Sequence, residues 1–93
     1  MNKAIKLIIR GRVQGVGYRR WFEQQALALA LTGYVKNLDS GEVEAVIVGH
    51  FDVLQELISR SYDGPPRAEV VQVIQIILDH EQNFIAFTML RSS

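Results

Sequence analysis

Ten consecutive residues, Gly11 to Arg20 (GRVQGVGYRR), carry the clearest chemical signal in the chain. They join a segment of strand character to one of helical character. A helix start leaves four backbone N–H groups without intrahelical partners. Ser, Thr, Asp or Asn usually accepts them, and acidic side chains favour the first turn. None of these residues occurs from Arg10 to Trp21. The helix opens instead with Arg19 and Arg20, each the wrong sign for the dipole at a cost of about 0.3–1 kcal/mol. A bound anion answers both oddities, accepting the loose N–H groups and neutralising the arginines. Gly15 and Gly17 let the backbone bend so that successive N–H groups converge. The short loop calls for a small anion, and phosphate oxygens match the guanidinium fork. An uncapped Gly-rich turn with solvent-facing arginines is the plain structural alternative.

Two familiar phosphate patterns are excluded. G-x-x-x-x-G-K-[ST] fails because Val16 stands where its second Gly belongs, and G-x-G-x-x-G fails because Gly15 and Gly17 lead to Arg20. Neither a nucleoside triphosphate nor a dinucleotide is implied. A second candidate is Asn37, in Gly33-Tyr34-Val35-Lys36-Asn37-Leu38. It alternates with Val35, so both face the same side of a sheet. A buried Asn needs partners. It either bonds nearby loop backbone or, were its strand to run beside the first, approaches the Gly15–Arg19 loop and holds a water there.

The remaining residues must position these groups. In residues 4–13, Ile5, Leu7, Ile9 and Val13 share one face and Lys6, Arg10 and Arg12 the other, the pattern of a half-buried strand. Tyr18, Phe22, Ala26, Leu29 and Ala30 follow a helical period, which Thr32-Gly33 ends with Gly33 as left-handed cap. Tyr34–Leu38 and the Val43, Ala45, Ile47 segment read as a hairpin around Asp39-Ser40-Gly41. A second helix spans Gly49–Ser61, with Asp52 in its first turn, and stops at Asp63-Gly64-Pro65-Pro66. Ala68–Leu78 is a strand with a bulge near Gln72–Ile74; a turn over Asp79–Asn83 and a last strand, Phe84–Leu90, follow. The order is that of a ferredoxin-like α+β sandwich, βαββαβ plus a C-terminal strand, with both helices on one face of a mostly antiparallel sheet.

Composition limits the rest. A chain of 93 residues, 48% hydrophobic, is expected to form a single domain over residues 1–93. Ten Lys and Arg balance ten Asp and Glu, which argues against a nucleic-acid module built on positive charge. There is no Cys, and the two His, His50 and His80, lie far apart, so neither a metal site nor a cofactor is expected. His50 is expected as a cap or surface residue and His80 as a solvated turn residue. Asp39, Glu42 and Glu44 are expected on a solvated face. Trp21 and Tyr34 are assigned to packing or a pocket wall. No signal or membrane stretch is visible, and a cytoplasmic monomer is expected.

Gly11-Arg12-Val13-Gln14-Gly15-Val16-Gly17-Tyr18-Arg19 matches G-x-V-Q-G-V-x-[FY]-R at every fixed place, the first signature of the acylphosphatases. Gly33–Leu38 with Gly41-Glu42-Val43-Glu44 is similar to the second, and Gly64-Pro65-Pro66-Arg67-Ala68-Glu69-Val70 to a later stretch. The resemblance runs from Ile5 to about Val70. Tyr34 stands where Trp is frequent, and Asp39-Ser40-Gly41 departs from the usual hairpin. What the resemblance implies is hydrolysis of acyl phosphates to a carboxylate and inorganic phosphate. By that resemblance Arg19 binds phosphate, Asn37 orients the attacking water, and the loop Gln14, Gly15, Val16, Gly17, Tyr18 and Arg19 cradles the phosphoryl oxygens. The implied partner is a small acyl phosphate, with inorganic phosphate as product or inhibitor and neither nucleic acid nor membrane.

The chemistry suits so sparse a site. A carboxylate is a good leaving group, so no general acid is required. Three rival readings keep the fold: a phosphate-binding module without turnover, an RNA-binding domain, and a domain of a larger carbamoyl-transfer protein. The RNA reading lacks both the RNP1 pattern and a basic excess.

Overall fold

The structure is a computed structural model that describes residues 2–79 and 82–91. The elements are β1 (Asn2–Arg12), α1 (Tyr18–Ala28), β2 (Thr32–Asn37), β3 (Val43–His50), α2 (Phe51–Ser61), β4 (Glu69–Leu78) and β5 (Phe87–Met89). The strands form one sheet in the order β4-β1-β3-β2-β5. β1 runs antiparallel to β3 and β4, and β2 antiparallel to β3 but parallel to β5. This is the expected ferredoxin-like arrangement with a short fifth strand on the β2 edge.

The apolar alternation of β1 does what its period dictates. Ile5, Leu7, Ile9 and Val13 are all buried, in one cluster with Phe22 and Ala26 of α1 and with Leu54, Leu57 and Ile58 of α2. Both helices therefore cover the same face. Each such large aliphatic side chain stabilises the fold by about 1.5–3 kcal/mol when fully buried. Phe87 joins β5 to this core, its ring 5.8 Å from that of Phe22. The Tyr18 hydroxyl donates to the Ser61 carbonyl at 2.7 Å, tying the start of α1 to the end of α2. Burial raises the Tyr18 pKa, against a smaller lowering by that bond, so the phenol stays neutral.

The opposite face carries a smaller cluster, Ala4, Val46 and Val48, with Tyr34, Leu78 and Phe84 against it. Tyr34 thus packs away from the helices, edge-on to Phe84, and is no wall of the site. Glu44 is not a plain solvated residue. Its side chain is 13% exposed, near Lys6 (3.9 Å) and Lys36 (3.7 Å), and it accepts the Tyr34 hydroxyl at 2.7 Å. Glu42 pairs with Arg10, which with Ser40 holds its carboxyl below the usual range.

Several boundaries move. α1 ends at Ala28, and the residue that caps it in the left-handed conformation is Ala30 (φ 57°) rather than Gly33, whose own positive φ (133°) falls inside β2. The Leu31 N–H donates to Ala26 O and the Ala30 N–H to Leu27 O, each at 3.0 Å, the paired bonds of a Schellman cap. Gly33 lies within β2 for a different reason. A Cβ there would sit 1.8 Å from the Val46 carbonyl oxygen. Gly49 and His50 extend β3, so α2 starts at Phe51; His50 takes the exposed N-cap position without a side-chain cap bond. The bulge falls opposite Arg10/Gly11, at Val71 rather than Gln72–Ile74. A Cβ on Gly11 would lie 2.1 Å from Glu69 O, so the two backbones approach too closely for any side chain. The last strand shrinks from Phe84–Leu90 to Phe87–Met89. His80, and with it part of the expected turn, lies outside the described residues.

Three substitutions test these glycine and cap assignments. Ala30→Gly relieves a left-handed alanine and raises stability by about 1 kcal/mol in urea unfolding. Gly33→Ala lowers it by at least about 2 kcal/mol. Gly41→Ala, whose added Cβ meets nothing within 4 Å despite φ 98°, costs visibly less.

Candidate active site

The end of β1 delivers the chain into the segment ahead of α1. Gly15 (φ 75°) and Gly17 (φ 82°) both adopt the left-handed conformation, and Gly17 is the N-cap of α1. No side chain caps this helix, and its first turn holds no acidic residue. The Trp21 N–H closes the first turn on the Gly17 carbonyl at 3.1 Å. Among the described residues, no protein acceptor takes the amides of Gly15, Val16, Gly17, Tyr18 or Arg19. The predicted row of unpaired donors is therefore present. An added Cβ on Gly15 or Gly17 would meet nothing within 4 Å, so these glycines serve backbone conformation rather than packing.

Over this loop lies a cavity of about 240 Å³, lined by Val13, Gln14, Gly15, Gly17, Tyr18, Arg19, Arg20, Asn37 and Met89. Five of the six predicted loop residues line it. Val16 does not, and its side chain packs against the core. Asn37 joins them although β2 does not run beside β1. β3 stands between, and Asn37 faces its Val43 at the last rung of that ladder. Asn37 shares the helix-side face with buried Val35, as their alternation requires. Among the described residues, its Oδ1 is the buried side-chain oxygen or nitrogen left without a hydrogen-bond partner.

Arg19 is half-buried, and its Nη1 donates to the Leu90 carbonyl at 2.5 Å. One acceptor engages one of five guanidinium N–H groups, so the bond orients the fork and leaves donors for the cavity. Arg20, exposed, lines the mouth. Trp21 packs beside Tyr18, ring centroids 5.4 Å apart, and does not line the cavity.

The sequence reading missed Met89 and the Leu90 carbonyl. Parallel pairing of β5 with β2 (Val35 opposite Met89) and the Leu90 N–H to Val35 O bond of 2.8 Å bring them there. No local pattern in this short strand signals that pairing.

The electrostatics are one-sided. Two guanidinium groups and the amide row face a cavity whose lining contains neither carboxylate nor imidazole. Among the described residues, no three of His, Cys, Asp and Glu are grouped to hold a metal ion. No helix among them is long and apolar enough to cross a membrane. Such an arrangement can hold a small multivalent oxyanion and orient a water beside it.

Comparison with known proteins bears on this geometry. The acylphosphatase family model matches residues 5–89. An acylphosphatase from Rhodopseudomonas palustris (strain BisB5) is 48% identical over 69 residues, 74% of this chain and 70% of that protein. One from Vibrio cholerae serotype O1 is 42% identical over 85 residues, 91% of this chain and 93% of that protein. The solved structure of an acylphosphatase from Coxiella burnetii superposes with a TM-score of 0.91 at 34% identity, covering 96% of this chain and 93% of that one. With the uncapped loop, the arginine and the asparagine on one cavity, and relatives matching across nearly its whole length, this chain belongs to the acylphosphatase family.

Proposed function

We propose that the chain performs its family's reaction with Arg19, the Gly15–Arg19 amides and Asn37 as its working parts. An acyl phosphate enters with its phosphoryl group in the cavity. The amides and the Arg19 guanidinium hold the non-bridging oxygens and stabilise their charge in the transition state. Asn37 Oδ1 accepts a hydrogen bond from a water and aims its oxygen at phosphorus, opposite the carboxylate leaving group. The P–O bond to water forms as the P–O bond to the acyl oxygen breaks. The products are a carboxylate and inorganic phosphate.

The observation that most supports this reading is Asn37 Oδ1, a buried acceptor without a protein partner among the described residues, on the wall of a cavity whose charged lining side chains are both guanidinium groups. Leaving such an acceptor unsatisfied costs about 1–3 kcal/mol. A water bound there recovers that cost at the place where the reaction uses it. The proton leaves the water for a phosphoryl oxygen of the substrate, since the lining contains no carboxylate or imidazole to receive it. The protein is read as a cytoplasmic monomer acting on a small-molecule acyl phosphate, with inorganic phosphate as product and inhibitor, no metal or cofactor, and no nucleic acid.

Turnover of benzoyl phosphate tests the assignment. Arg19→Gln abolishes both turnover and inhibition by inorganic phosphate. Asn37→Ala lowers kcat by roughly 10²–10³, the effect of losing one preorganised group, with phosphate inhibition retained. Wild-type turnover in either variant refutes the reading. The kcat profile shows no inflection from a protein group between about pH 5 and 8, the range in which an imidazole would titrate. A base-like inflection there that persists when the substrate's own ionisation is altered contradicts the substrate as proton acceptor.

A further inference from the structure

The phosphate loop and Asn37 belong to different parts of the sheet, and β3 lies between the strands that carry them. Something must fix their separation. β3 begins at Val43, directly opposite Asn37, and the hairpin residues 38–42 fill the space beyond. The Gln14 side chain reaches this hairpin. Its Nε2 donates to the Leu38 carbonyl and to the Glu42 carbonyl, each at 2.9 Å. Leu38 follows Asn37, and Glu42 precedes its cross-strand partner Val43. The same two carbonyls also accept the hairpin's own bonds, from Gly41 N–H (3.1 Å) and Leu38 N–H (2.8 Å). Both N–H donors of the carboxamide are thus committed to the turn at the foot of the Asn37–Val43 rung.

We propose that Gln14 is a positioning residue, whose carboxamide sets the distance between the phosphate loop and Asn37 and hence the line of attack of the water. It rests on the roles given above to Asn37 and the loop, and it changes the reading of Gln14 from a phosphate contact to a brace. The cradle itself is built elsewhere, from the Gly15–Arg19 amides and a guanidinium anchored on Leu90. Loss of the brace leaves phosphate held while Asn37 drifts from its place. In-line displacement is sensitive to such drift, since a misplacement of about 1 Å can cost on the order of 10²-fold in rate.

The experiment is a double-mutant cycle on kcat for benzoyl phosphate, with inhibition by inorganic phosphate measured in parallel. Gln14→Met keeps the side-chain length and removes both donors. It lowers kcat by roughly 10–100-fold and leaves the phosphate inhibition constant within about threefold of wild type. On the Asn37→Ala background the same change lowers kcat by less than about twofold, because the group it positions is already gone. Gln14→Leu, which likewise removes both donors and adds no charge to the cavity that Gln14 lines, shows the same split and serves if Gln14→Met does not fold. A phosphate inhibition constant that rises in step with the fall in kcat overturns the brace, as does an additive cycle. An Asn37→Ala enzyme with wild-type kcat overturns the underlying reading as well. A normal Asn37→Ala loss with an additive cycle overturns the role of Gln14 alone.

Discussion

A helix that begins without a cap is the constraint on which this structure turns. The amides of Gly15 to Arg19 leave the end of β1 with no protein acceptor among the described residues, and a guanidinium stands over them. Folding alone gives no reason for this. A Ser or Asp in a conventional N-cap accepts one of these N–H groups with its own side chain, and this helix has no such cap. The chain instead keeps like-signed groups together in a small space. That concentration of positive potential defines what the cavity can hold.

The rest of the fold serves to converge three separate chain segments on that space. The loop follows β1, Asn37 ends β2 and the Leu90 carbonyl follows β5. The buried alternation of β1 and the stripe of α1 fix the loop's two ends, and the Tyr18–Ser61 bond pins the helix start to α2. β5 is only three residues long, yet its parallel pairing with β2 carries the carbonyl that orients Arg19. Gln14 closes the remaining gap between the loop and the hairpin. Little further machinery is needed where the leaving group is already a stabilised carboxylate.

The parts of this arrangement that were legible in the sequence are those that local physics dictates. Strand alternation placed the core residues of β1, the helical period placed Tyr18, Phe22 and Ala26 of α1 though not Ala30, which is exposed beyond the helix, and the missing cap exposed the loop. The resemblance of Gly11–Arg19 and Gly33–Leu38 to family signatures pointed to Arg19 and Asn37. What failed were features set by contacts distant in sequence. Gly33 read as a helix cap because nothing local reveals the Val46 carbonyl beneath it. Ala30 in the left-handed conformation defies its own propensity and yields to the Schellman bonds around it. Met89 and Leu90 reach the cavity only through a pairing that their sequence does not signal.

The central claim is that main-chain amides, oriented by an uncapped helix start, grip the phosphoryl group. Titration of the ¹⁵N-labelled protein with inorganic phosphate, followed by amide proton shifts, tests it most directly. The account predicts saturable downfield shifts concentrated in Gly15 to Arg19, and their disappearance when the Arg19 guanidinium is removed. Saturable phosphate inhibition accompanied by no movement of those five amides would contradict it.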